Sequence, residues 1–260
     1  MSFTFYLGTH MPNWLETAGV PLFVSRRRLE GRKDLPRAIA PWALDSGGFT
    51  EIDMHGTWEM TPTAYARLVR RFRDEIGMMD WAAPQDWMCE DKMLRKTGLK
   101  VKDHQVLTTD NLITLRSIAP DLPFIPVLQG QTSNDYLAHA DLYLSRGIDL
   151  TKERVVGLGS VCRRQGSEAI FMVARRMWML GINLHGFGVK KTGLSFGTPP
   201  VLVGKDLLVS SDSLVWSSEA RSAPPLPGHE HKNCANCLEY ALMWRERLLR
   251  SISDERPAGL

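Results

Sequence analysis

The sequence predicts an α/β fold: a (β/α)8 TIM-like barrel with a small C-terminal zinc-binding turn and helix. Three observations lead there. Eight short apolar runs of strand length recur along the 260 residues. Helical spacing and helix stop signals fall between many of them. Polar or glycine-rich motifs follow the runs in order, as they do where barrel strands end at the C-terminal face. The barrel is expected over residues 1–222, and the zinc-binding segment with its helix over 223–260.

The apolar runs centre on Tyr6-Leu7, Leu22-Phe23-Val24, Trp42-Ala43-Leu44, Trp81-Ala82-Ala83, Phe124 to Leu128, Val155-Val156-Gly157, Asn183-Leu184-His185 and Leu207-Leu208-Val209. The first two crossovers read as short and irregular. Thr61-Pro62 then opens a helix, with Thr61 placed to cap and Pro62 in the first turn. Leu68, Val69, Phe72 and Ile76 follow at helical spacing. A second helix runs from Ser133 towards Gly147, and a third from Ser167 towards Gly181. Met172, Met177, Trp178 and Met179 of that third helix are expected to pack in the core. The Pro-rich stretch 223–228 breaks the pattern, and a last amphipathic helix spans Leu238 to about Ile252.

Composition narrows the function class. The chain is 43% hydrophobic and 23% charged, ordinary for a globular domain. No apolar run approaches the length of about 18 residues that a membrane span needs, and the first residues do not read as a signal peptide. A cytoplasmic protein with no membrane partner is expected. Four cysteines are too few for a disulfide framework in a chain of this length. The net charge of +3 does not mark a nucleic-acid binder, but basic clusters do punctuate the chain. Arg26-Arg27-Arg28, Arg163-Arg164 and Lys190-Lys191 follow predicted strands, where they could meet a phosphate backbone.

The strand ends carry the chemistry. Asp45-Ser46-Gly47-Gly48-Phe49 joins an acid, a hydroxyl, two glycines and a ring. Such a turn brings backbone close to a flat ligand, with the acid able to carry a proton and the ring to stack. Asp86, Gln129-Gly130, Gly157-Leu158-Gly159, His185-Gly186-Phe187-Gly188 and Asp212 follow at later strand ends. Three carboxylates with a primary amide suit a purine edge that both donates and accepts. One aspartate can attack an anomeric carbon while a second serves as general acid and base. His229, His231, Cys234 and Cys237 supply four ligands within nine residues, enough for a closed tetrahedral zinc site of structural type.

These motifs resemble tRNA-guanine transglycosylases. Asp45 to Phe49 is similar to that family's Asp-Ser-Gly-Gly-aromatic motif. Asp86 resembles its base-reading aspartate, Gln129-Gly130 its Gln-Gly, and Val156 to Val161 its Gly-rich base-binding strand end. Leu184 to Gly188 resembles its Leu-Met-Gly-Val-Gly. Ser211-Asp212-Ser213 falls at the nucleophile, and the Cys-x-x-Cys at the zinc site. The resemblance covers about residues 40–245 and implies a (β/α)8 fold that exchanges guanine for a 7-deazaguanine. It assigns Asp212 as nucleophile and Asp45 as general acid/base. Ser46, Gly47, Asp86, Gln129, Gly130 and Gly159 are expected around the purine, with Phe49 and His185 on its faces.

The departures point to one branch. Thr50 stands for the family's Gln, Met88 for its Cys with Cys89 one position late, and His185 for its Met. Trp216-Ser217-Ser218-Glu219-Ala220-Arg221 replaces its Pro-Thr-Arg region. No histidine follows Cys237, so His229 or His231 must stand in for the distant zinc ligand. No counterpart of the family's RNA-binding extension is expected. These features, with the opening Tyr6 to Leu15, resemble the DpdA branch, which places 7-deazaguanines in DNA. The expected partners are therefore DNA, held by Arg163, Arg164, Lys190 and Lys191, and a free 7-deazaguanine base. The same exchange on tRNA is one alternative. A non-catalytic nucleic-acid-binding barrel is another, against which Asp45 and Asp212 count.

Overall fold

The computed structural model describes residues 3–161, 167–189, 191–194, 197–198 and 202–253. Eight parallel strands form one sheet: β1 (Thr4–Thr9), β2 (Leu22–Ser25), β3 (Trp42–Asp45), β4 (Met79–Ala82), β5 (Val127–Leu128), β6 (Val156–Leu158), β7 (Leu184–Gly186) and β10 (Ser210–Ser213). A short antiparallel pair, β8 (Gly197–Thr198) and β9 (Leu202–Val203), lies apart from it. The order β4-β3-β2-β1-β10-β7-β6-β5 leaves β4 and β5 at the two edges. Those edges meet. The Ala82 amide donates to the Pro123 carbonyl at 3.0 Å, and the Ile125 amide to the Ala82 carbonyl at 3.1 Å. The sheet therefore curls into a TIM-like barrel.

Helices fill the crossovers: α1 (Gly48–His55), α2 (Pro62–Ile76), α3 (Asp91–Thr97), α4 (Val101–Ile118), α5 (Ser133–Ser145), α6 (Ser167–Met179), α7 (Lys191–Leu194), α8 (Val215–Ser222) and α9 (Leu238–Ser253). The first two crossovers carry only 3-10 turns, Pro12–Glu16 and Arg26–Arg28. Thr61 caps α2 as its sequence requires, its hydroxyl accepting from the Ala64 amide at 3.3 Å. No helix among the described residues is long and apolar enough to cross a membrane.

Strand alternation divides the core in two. Tyr6, Ala43, Trp81, Ile125 and Val155 fill the barrel interior. Phe5, Leu7, Leu22, Val24, Trp42 and Leu44 face outward and are buried beneath the helices. The last helix is held to this scaffold by aromatic and polar contacts. The Trp244 ring lies 6.1 Å from that of Phe5, its indole N–H donates to Glu219 at 2.7 Å, and Arg245 reaches the Phe5 carbonyl.

Two expectations are corrected. The eighth strand is not the apolar run Leu207-Leu208-Val209: Leu207 ends a 3-10 turn, and the strand begins at Ser210. Its four residues, Ser-Ser-Asp-Ser, are all buried yet give no hydrophobic signal. Their polar groups are satisfied internally instead, as when the Ser211 hydroxyl donates to the Val189 carbonyl at 2.7 Å. On α6, only Met177 of the four large residues is core. Met172, Trp178 and Met179 are 48%, 46% and 67% exposed, because Val173, Ala174 and Met177 form the stripe that faces inward.

Candidate active site

The C-terminal strand ends surround a cavity of about 300 Å³. Asp45 ends β3 and points inward with Ala43, while Asp212 stands third in β10. Asp86 follows β4, and Gln129 and Gly159 each stand one residue past β5 and β6. All five line the cavity, together with Ser46, Phe49, Phe187 and Gly188. Residues 167 positions apart in sequence, Asp45 and Asp212, thus share one chamber, close enough for each charge to act on the other.

The Asp-Ser-Gly-Gly turn is held from below. Gly47, at φ +75°, makes a left-handed turn that leads directly into α1, a conformation glycine adopts without steric cost. Arg26 sits under this turn, only 2% exposed. Its Nε donates to the Ser46 carbonyl at 2.8 Å, and its other nitrogens pair with Glu30 at 2.6 Å and Glu51 at 2.7 Å. A fully paired, buried guanidinium cannot grip a phosphate, so Arg26 is removed from the expected basic rim.

A second network sets the floor. Asp86 accepts from the Ser46 hydroxyl at 3.1 Å and from the Gln129 side-chain amide at 2.6 Å. The Gln129 side-chain carbonyl accepts in turn from the Ser160 hydroxyl at 2.6 Å, and Ser160 accepts from the Cys89 amide at 2.7 Å. Gly159 makes room for this crossing: a Cβ there would come within 2.4 Å of the Gln129 amide nitrogen. Buried His139 accepts from the Gln129 backbone amide at 2.8 Å and so directs its Nε2 proton to the Thr109 hydroxyl at 3.1 Å. Burial pushes the His139 imidazole down to about 3, which keeps it neutral and able to accept.

The carboxylates are tuned apart from ordinary surface acids. Burial raises the Asp45 carboxyl above its usual range. The Gly47 amide and Ser25 hydroxyl pull it back, and the charge of Asp212 adds to the rise. Burial, and then the charge of Asp45, lift Asp86 to about 7. Asp212 takes the Gly188 amide on Oδ1 at 2.9 Å, with His185 Nε2 at 3.3 Å from the same oxygen. Its Oδ2 has no hydrogen-bond partner among the described residues, and the residue lines the cavity.

Other expected site residues lie elsewhere. Gly47 and Gly130 do not line the cavity; Gly130 packs on Asp135 at the start of α5. The Gly159 amide donates to the Leu128 carbonyl at 2.9 Å, and its carbonyl accepts from Tyr136 at 2.6 Å, so its backbone serves the scaffold. His185 is wholly buried and does not reach the cavity; the ring that does is Phe187, which lies over Gly157. Arg163, Arg164 and Lys190 lie outside the described residues, and of Lys191 only its place at the start of α7 is described.

The fourfold cluster near the C-terminus is compact. One ligand atom each from His229, His231, Cys234 and Cys237 lies within 4.8 Å of the others. His231 Nε2 is 3.1 Å from Cys234 Sγ, and His229 Nδ1 is 3.7 Å from Cys237 Sγ. Ligands of a tetrahedral zinc stand about 3.3–3.8 Å apart, so this donor set could hold one metal ion. The surrounding turn is tied to the barrel. The Leu226 amide donates to Cys234 Sγ at 3.3 Å, and His10, just past β1, stacks on Trp216 and bonds Asn236 between the two cysteines at 2.5 Å.

A family model described as DpdA, DeoxyPurine in DNA protein A, matches residues 1–258. No curated protein sequence matches the chain. Among solved structures it is similar to a candidate isomerase from Sinorhizobium meliloti at 9% identity and a TM-score of 0.42, over 81% of this chain and 50% of that one. It thus spans half the length of that isomerase. A candidate fructose-1,6-biphosphate aldolase from Coccidioides immitis gives 8% identity and a TM-score of 0.46, over 98% and 93% of the two chains. The YdjI aldolase from Escherichia coli K12 gives 8% and 0.40, over 97% and 90%.

Proposed function

This chain belongs to the DpdA family, and from that membership we propose that it exchanges guanine in DNA for a 7-deazaguanine base through a covalent aspartyl-glycosyl intermediate. The observation that carries this reading is the convergence of Asp45 and Asp212 on one purine-sized chamber whose floor is the Asp86–Gln129 pair. Asp212 Oδ2 would attack the deoxyribose C1′ as the bond to guanine breaks. Asp45, whose hold on a proton burial strengthens, would supply the proton to the departing guanine. The incoming base would then return its N9 proton to Asp45 as N9 takes C1′ and Asp212 leaves as carboxylate. Phe49 and Phe187 offer rings to the purine faces. The target guanine must leave the duplex stack to enter, and the exposed Arg28 with the basic pairs Arg163-Arg164 and Lys190-Lys191 would hold the strand. The test is exchange of labelled guanine into DNA and into tRNA at matched salt. Label in DNA supports the reading; label only in tRNA moves the substrate and leaves the chemistry; label in neither rejects exchange.

The Asp86 carboxylate gives a pH prediction. Guanine-like edges present N–H donors, which bind the ionised form. With Asp86 at about 7, the ionised fraction rises about tenfold between pH 6 and pH 8. Calorimetry with a free 7-deazaguanine should show affinity rising by about that factor, and Asp86→Asn should flatten the dependence. Affinity that falls with rising pH would reassign the reader of this edge.

Zinc is the metal we assign to the His229, His231, Cys234 and Cys237 cluster, in a structural role, since four protein ligands leave no open position. Metal analysis should find one zinc per chain. Removing it, or replacing Cys234 by alanine, should lower the melting temperature by well over 10 °C, because binding energy at such sites is folding energy. Full stability after chelation would make the cluster a metal-free turn.

A further inference from the structure

The proposed exchange leaves one buried titratable group on the barrel axis unexplained. His185 points inward from β7, is 0% exposed and touches no part of the cavity surface. Four aromatic rings enclose it: Tyr6 at 5.8 Å, Phe23 at 5.8 Å, Trp81 at 4.7 Å and Phe187 at 4.9 Å. Among the described residues its polar contacts are two side chains of β10, the neighbouring strand. Nδ1 lies 2.8 Å from the Ser210 hydroxyl, and Nε2 lies 3.3 Å from Asp212 Oδ1. Ser210 and Asp212 are two residues apart, so both project into the barrel, with His185 wedged between them.

Proton placement follows from this geometry. A bare Nε2 lone pair facing a carboxylate oxygen in an apolar box would be repulsive. The proton must therefore sit on Nε2 and point at Oδ1. With the single ring proton on Nε2, Nδ1 is left as an acceptor, which the Ser210 hydroxyl serves as donor. We propose that His185, held by Ser210, is a positioning residue that fixes Asp212 by Oδ1 and turns Oδ2 towards the sugar carbon. The Gly188 amide, 2.9 Å from the same Oδ1, acts in the same sense. With one oxygen held by two donors, the carboxylate has little freedom to rotate, and only the other oxygen is available for attack. The Tyr6 hydroxyl is committed to Asp80 and the Trp81 indole N–H to Tyr6, so the four rings give the imidazole no alternative partner among the described residues. Ser210 also lines a second cavity, of about 150 Å³, at the opposite end of the barrel, with Tyr6, Asp80 and Arg154. The relay thus spans the barrel interior from one mouth to the other.

The role assigned to Oδ2 rests on the exchange reading, but the hydrogen bond does not, and the two are tested apart. His185→Gln keeps an N–H at nearly the reach of Nε2, whereas His185→Phe keeps a flat ring and loses the donor. In the Phe variant, covalent capture of DNA should slow by about a hundredfold with the KM for free base unchanged within threefold. The Gln variant should recover to within tenfold of wild type. Ser210→Ala, which keeps the fold and frees the tautomer, should slow capture by a smaller factor, about threefold to tenfold. Equal losses in the Gln and Phe variants, or full activity in the Phe variant, would overturn the proposal. Should the wild type show no exchange at all, the exchange reading fails by itself. The 15N shifts of the His185 ring then still decide the hydrogen bond. A protonated Nε2 that responds to Asp212→Asn supports it, and an unprotonated Nε2 overturns it.

Discussion

Asp212→Ala is expected to abolish base exchange and covalent capture of DNA. The loss should reach at least four orders of magnitude, on the order of 5.5 kcal/mol of barrier, since Asp212 is the carboxylate proposed to form the glycosyl ester. Asp45 is raised by burial and committed to the Gly47 amide and Ser25 hydroxyl; Asp86 is tied on both oxygens by Ser46 and Gln129. Glu90, also on the cavity wall, stands 3.4 Å from the Ser160 hydroxyl, whereas Asp212 has Oδ1 held by the Gly188 amide and Oδ2 without a hydrogen-bond partner among the described residues. Alanine also strips the Gly188 amide and His185 of their acceptor, at about 1–3 kcal/mol of stability for the unmet donor. Asp212→Asn is the cleaner variant, because its amide oxygen can still accept from both while its nitrogen is no nucleophile. Both variants should stay folded, bind free base and retain metal. Activity within tenfold of wild type in either, a barrier change of only about 1.4 kcal/mol, would remove Asp212 from the nucleophile role.

What the sequence made legible, and what it did not, divides along one physical line. Asp45, Asp86 and Gln129 could be read because each follows an apolar strand and so must stand at the barrel mouth. The His/Cys cluster could be read because its four side chains fall within nine residues, and local spacing alone brings them together. The supporting shell could not. Ser160, in a left-handed conformation at φ +57°, joins Cys89 to Gln129 across 71 and 31 residues of sequence. His139 reaches the Gln129 backbone only because α5 folds back on β5. Arg26 reads as one of three consecutive surface arginines, and nothing local marks it as the one that Glu30 and Glu51 bury. The family resemblance puts His185 against the base, in the place of a Met. The register of β7 on β10 instead pairs it with Ser210, below the cavity floor, and leaves Phe187 as the ring above. One signal for Phe187 was present in the chain: Gly157 lies where a side chain would collide with its ring, at 2.5 Å. The strand that carries Asp212 was displaced by three residues for the opposite reason. Its buried residues are hydroxyls and an acid, and hydrophobic patterning is blind to them.

Asp45→Asn is expected to cost about two to four orders of magnitude in exchange, the usual range for a general acid or base. Asparagine keeps one acceptor oxygen for the Gly47 amide or Ser25 hydroxyl, and Arg26 still holds the Ser46 carbonyl, so the Asp-Ser-Gly-Gly turn should persist. What it removes is the proton. Burial raises the Asp45 carboxyl, so a fraction of the enzyme carries that proton under conditions in which a surface aspartate carries almost none. The sign of the pH dependence follows. Asp45 must be protonated when guanine departs, so activity falls as pH rises through its raised value. Asp86 must be ionised to hold the base, so activity climbs as pH rises through about 7. The two carboxylates repel, and protonating one eases ionisation of the other; the pair therefore titrates jointly and gives one bell-shaped profile. In Asp45→Asn the descending limb should vanish while the ascending limb, set by Asp86, remains and moves to lower pH, because the charge of Asp45 no longer lifts that carboxyl. Binding of free base should change little, which separates a lost acid from a lost pocket. An Asn variant that keeps both limbs, or works within tenfold of wild type, would leave the proton transfer to another group and strip Asp45 of the role its burial prepares it for.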